Sequence, residues 1–115
     1  MDQTTALLVS IAVEAVVAAS VVGLSGWGVP GRGVVAALVA TLVTHPAVWW
    51  GFPEIELSTS YRTAFAVTES LVVLVEMLAY RLILPLGWRR ALALSFIANA
   101  ASAGVGMLYY LVARL

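Results

Sequence analysis

Five residues are in the wrong company. Glu14, Glu69, Glu76, His45 and Asn99 each sit deep inside an apolar run of this 115-residue chain. A charged side chain at the centre of a bilayer costs a few kcal/mol or more, so such groups face a bundle interior and mark relays or pathways. A carboxyl group in low dielectric loses the hydration of its charged form. It can load and release a proton, or trade that proton for a cation.

Spacing gathers these residues. Glu69 and Glu76 are seven apart and share one helix face. Ser95, Asn99, Ser102 and Gly106 follow a 4-3-4 spacing, Ala37, Thr41, Thr44 and His45 form a comparable stripe, and Ser10, Glu14 and Ala18 align. The same small and hydroxyl residues also serve close helix packing and interhelical hydrogen bonds in lipid, so the stripes by themselves admit a structural role. Tyr80, four residues from Glu76, is placed to hydrogen-bond it; Arg81, five away, does not stack on it.

The elements that position these groups follow from composition. Hydrophobic residues make up 63% of the chain and charged residues 10%, with mean hydropathy +1.03. Soluble domains carry about 25% charge. A solvated domain, a disordered segment and a nucleic-acid binder are therefore excluded, and the lipid bilayer is the solvent. A span needs roughly 20 residues, which leaves room for about four and little else. The expected fold is all-α, an integral membrane bundle of four transmembrane helices forming one domain over 1–115, with spans at about 5–24, 34–52, 61–84 and 91–114. The first run follows Asp2 and no positive charge, so it reads as a span and not as a cleaved signal. Residues 25–33 and 85–90 read as turns, and Pro53 to Ser60 as a polar connector. Pro46 is expected to kink or open the second helix.

Four spans put both termini beside the 53–60 connector. Counting about 1.5 Å per residue from that side places Glu14 and Glu69 roughly 12–14 Å deep and His45 roughly 10 Å, with Glu76 and Asn99 in a second layer at roughly 22 Å. Arg32, Arg89 and Arg90 fall on the opposite side, with Arg81 near enough to snorkel to it, against Arg62 and Arg114 on the terminus side. The positive-inside rule then sets both termini outside the cytoplasm. Trp27, Trp49, Trp50, Trp88, Tyr109 and Tyr110 lie near span ends, where anchoring aromatics are expected.

Three classes of function fit. The leading one is proton- or cation-linked translocation of a small solute by Glu14, Glu69 and Glu76, with Asn99, His45 and Ser102 orienting or sharing them. Four short helices enclose little space, so a homo-oligomer is expected. The second class is an accessory or assembly subunit whose polar stripes bind partner helices in a larger membrane complex. The third is a membrane-embedded enzyme using paired glutamates on a lipid-soluble substrate, although no nucleophile motif or phosphate loop accompanies them. No cofactor is implied. One His, no Cys and no Glu-x-x-His pair fall short of a helical-bundle metal centre, and no feature invites nucleic acid.

Four spans in so short a chain, with Glu14 in the first, resemble the small multidrug resistance transporters, in which a first-helix glutamate couples drug and proton binding. That resemblance implies the same role for Glu14; Glu69, Glu76 and His45 fall outside the pattern. Thr44-His45-Pro46, Glu69-x6-Glu76 and Asn99-x2-Ser102, preceded by Glu14, also resemble a group of small, uncharacterised bacterial four-span membrane proteins. This second likeness implies four spans and a bacterial cytoplasmic membrane.

Overall fold

The computed structural model describes residues 2–115. It contains four helices: α1 (Gln3–Ser25), α2 (Pro30–Ser58), α3 (Tyr61–Ile83) and α4 (Trp88–Ala113). All four are long and apolar enough to cross a membrane. The chain is a four-helix membrane bundle. Successive helices run up and down, each packs on its neighbours in sequence, and α1 packs on α4 to close the ring. Thus α1 and α3 occupy diagonal corners, as do α2 and α4.

Local chemistry explains most boundaries. The Asp2 carboxylate accepts from the Thr5 amide at 2.7 Å and Ser60 Oγ accepts from the Thr63 amide at 3.2 Å, capping α1 and α3. Gly26 ends α1 at φ 66°, a left-handed position that favours glycine.

The expected boundaries of the second span need correction. Pro30 begins α2, where its missing N–H costs nothing. The helix then runs unbroken through Pro46 and Pro53 to Ser58. Membrane helices tolerate internal proline where other groups satisfy the freed backbone. The supposed polar connector is thus mostly helix. Its hydroxyls close the end, with Ser58 Oγ donating to Glu54 O at 3.0 Å and Thr59 Oγ1 donating to Ile55 O at 2.7 Å.

Packing divides the bundle into two halves. Toward the 26–29 and 84–87 turns, Tyr80 fills the centre among Ala18, Val22, Ala36, Ala37, Ala91 and Leu94. Small residues on three helices make room for one large ring. Gly33 lets α2 touch α1 there, since a Cβ on it would stand 3.1 Å from Ala18 O. Toward the termini the bundle loosens. Among the described residues none of α1 before Glu14, of α2 after Thr44 or of α4 after Asn99 is buried; only α3 continues, with Ala64 and Thr68.

Candidate functional site: a carboxyl cluster in the bundle

The boundary between the two halves is a cavity of about 190 Å³. Glu14, Glu69, Glu76, His45, Asn99 and Ser102 all line it. The structure therefore brings every sequence-predicted site residue to one place, though in a different arrangement from the two layers read by counting. Because α2 continues to Ser58, His45 lies roughly 20 Å from the helix end, against the roughly 10 Å counted from Phe52.

Glu14 and Glu76 form the centre. They are 3% and 1% exposed. They sit on diagonal helices and both line the cavity between them. Glu14 is thus close to Glu76, and it shares the cavity with Glu69 and His45.

Two threonines from α2 hold the pair. Thr41 Oγ1 donates to Glu14 Oε2 at 3.0 Å, and Thr44 Oγ1 is hydrogen-bonded to Glu76 Oε2. Asn99 Nδ2 donates to Glu76 Oε1 at 3.1 Å and to Ser95 O at 2.8 Å. Ser95 Oγ in turn donates to Val73 O at 2.7 Å, tying α4 to α3.

Proton counting gives this network two states. Thr44 has one hydroxyl proton but two acceptors, Glu76 Oε2 and Ala40 O, the latter at 3.0 Å. When Glu76 is neutral, it donates to Thr44 and Thr44 donates to Ala40 O. When Glu76 is ionised, Thr44 turns its proton to the carboxylate. Asn99 serves both states unchanged. A proton can therefore come and go with one hydroxyl rotation and no loss of packing. Glu14 is held less completely: its Oε1 accepts no bond from a hydroxyl or amide of the described residues.

The remaining candidates stand at the rim. Glu69 is only partly buried and also borders a shallow groove beside Ser70 and Phe96. Ser102 Oγ donates to Ser10 Oγ at 3.3 Å, linking α4 to α1. His45 stacks on Trp49, with ring centroids 6.1 Å apart, and its Nε2 is buried without a partner among the described residues. Among those residues no group of three His, Cys, Asp or Glu is placed to hold a metal ion.

One expectation about the neighbours of Glu76 changes. Tyr80 does not hydrogen-bond it: the buried Tyr80 hydroxyl has no partner among the described residues. Arg81 turns away and lies 5.2 Å from the Trp88 ring, as Arg90 lies 5.5 Å from Trp27. Sequence reasoning left Thr41, Thr44 and Ser10 out of the site. Their signal was present in the stripes they share with His45 and Glu14, but hydroxyls at such spacing read equally as packing. The chain matches no family model, no curated protein and no solved structure.

Proposed function

We propose that this chain carries a proton or small cation across a membrane, linked to movement of a small solute, with Glu14 and Glu76 as the carriers. The observation that carries the reading is the buried, hydrogen-bonded carboxyl pair at the inner end of a cavity that all six polar candidates line. Thr44 and Asn99 accept either protonation state of Glu76 without repacking. Glu69 and His45, at the rim, hand the ion to the pair.

The Tyr80 plug argues for a transporter over an open pore. Beyond the pair, the core is an apolar cluster of buried residues around Tyr80, so release on the far side requires the helices to move. The arginine count supports a plugged end facing the cytoplasm and a loosened end, with both termini, outside; the likeness to small bacterial four-span proteins supports a bacterial cytoplasmic membrane.

The test is proton flux into liposomes containing the purified protein. Glu14→Gln and Glu76→Gln keep size and hydrogen-bonding capacity and are expected to lower flux by at least about tenfold. Glu69→Gln, at the rim, is expected to lower it less. Undiminished flux in both pair variants would sink the proposal.

A second reading, an assembly subunit, is favoured by one feature. The last three turns of α4 are largely uncovered, with Leu108, Leu111 and Val112 each about three-fifths exposed. A partner helix, or a second copy, fits against that face.

A further inference from the structure

A second concavity adjoins the carboxyl cavity. It is a groove of about 310 Å³ between α2 and α3, open to the lipid side, where Val43 is 61% and Leu71 55% exposed. On α2 it extends from Val43 to Ile55, about 18 Å of helix. Thr44, Val48 and Val72 line both spaces, so the groove and the cavity share a wall.

Three observations say what fits there. First, the lining is apolar and carries no charged residue, which suits a hydrocarbon chain and penalises a cation stripped of water on its way in. Second, Thr68 lines the groove, is 7% exposed, and its hydroxyl has no partner among the described residues. A buried hydroxyl without a partner is costly, and a polar ligand group would satisfy it. Third, behind the shared wall lie carboxyl oxygens, which accept hydrogen bonds from a neutral donor.

We infer that the α2–α3 groove binds a single-chain lipid with an uncharged hydroxyl head, its chain along Val43, Gly51 and Leu71 and its head passing Thr68 to reach the Glu14–Glu76 pair. This rests on the transport reading of the cavity and names the class of solute. The head enters sideways from the bilayer, past Thr44, Val48 and Val72. Thr68 is a positioning residue on that route, and Glu14 is the acceptor at its end.

The test is photolabelling of the full chain in lipid nanodiscs. The probe is a long-chain primary alcohol with a diazirine in its tail, and the adducts are mapped by mass spectrometry. Adducts are expected on the groove-lining residues of α2 and α3, with competition by unlabelled alcohol. Gly51→Leu fills the groove, and a Cβ at Gly51 meets nothing within 4 Å, so the fold tolerates it. It is expected to remove most of the specific labelling. Thr68→Val keeps shape and loses the hydroxyl; labelling is expected to fall by about three- to tenfold, the worth of one hydrogen bond.

The methyl ether of the same probe is expected to label weakly, and so is its trimethylammonium analogue. Equal labelling by the ether, stronger labelling by the cation, or adducts spread evenly over all four helices would each overturn the inference. So would full labelling of Gly51→Leu. Labelling does not depend on flux. Failure here with glutamate-dependent proton flux intact leaves the transport reading standing, and specific labelling without such flux leaves a lipid site in a protein that does not transport.

Discussion

The two halves of this bundle are made from similar apolar helices yet differ in what those helices enclose. At the turn end, alanines on α1, α2 and α4 bring the backbones close around the Tyr80 ring, and among the described residues the only buried, unpartnered side-chain polar atoms there are its hydroxyl and Arg81 Nε. At the terminus end the helices part, and the space between them is lined by carboxyls, hydroxyls and an amide. Apolarity alone cannot distinguish the halves, because lipid is as apolar as leucine and gives helices no hydrophobic reason to associate. Side-chain size and polar partnership decide instead: small residues close one end, and a hydrogen-bonded network spans the other.

Truncation should expose the difference most strongly. Tyr80→Ala empties the centre of the packed half and is expected to cost about 3–5 kcal/mol. Leu108→Ala, at an exposed position of the loosened half, is expected to change stability by no more than about 0.5 kcal/mol. SDS titration of the folded protein in mixed micelles measures both. Similar losses would mean that the terminus half is covered, by a second copy or a partner, and that the contrast belongs only to the isolated chain.

A glycine pair sharpens the contrast by giving opposite signs. A Cβ at Gly33 would press on the Ala18 backbone, 3.1 Å from its oxygen and 3.2 Å from its carbon. Backbone cannot yield as a side chain does, so Gly33→Ala is expected to destabilise by about 1–3 kcal/mol. At Gly104 the same Cβ meets nothing within 4 Å. There alanine is expected to stabilise by about 0.5–1 kcal/mol through helix propensity. The same titration reads both variants.

The Tyr80 hydroxyl marks where the halves meet. It is buried and unpartnered among the described residues. Removing it in Tyr80→Phe is expected to stabilise the bundle by roughly 1 kcal/mol. A loss of stability would show that the hydroxyl has a partner in solution, and the packed half would then be wetter than its side chains suggest.

Much of this division is legible in the sequence. Seven-residue spacing puts Glu69 and Glu76 on one face, and the stripes of the other helices supply partners, so the membership of the cavity follows from periodicity. The pairing does not. Depth counting took α2 to stop near Phe52, where polarity rises. Polar residues do not end a helix once it leaves the bilayer, and two further turns displaced His45 relative to Glu14. Which diagonal carboxyls lie close depends on helix tilt and rotation, which packing sets and composition does not record. The Tyr80 plug was also hidden, because a tyrosine one turn from a glutamate reads first as its hydrogen-bond partner. Its real setting is defined by alanines on three other helices.

The smallest expected effect concerns how the helices begin at each end. At the terminus end α1 and α3 start on side-chain caps, Asp2 and Ser60, whereas α2 and α4 start at the turn end with no side-chain cap. Only the Asp2 cap is ionisable. Its hydrogen bond from the Thr5 amide holds the Asp2 carboxyl below the usual carboxylate range. A lowered folded-state value means that the cap's contribution is present above the ordinary unfolded value and is lost as pH falls through the folded one. Acid should therefore fray the first turn of α1, seen as faster exchange of the Thr5 amide than the intrinsic pH dependence accounts for, while the starts of α2 and α4 show no such excess. Asp2→Asn keeps an acceptor and should abolish the acid step, and Asp2→Ala should fray the turn at every pH. An acid step of equal size at the start of α2 or α4 would place the pH-sensitive helix start at the wrong end of the bundle.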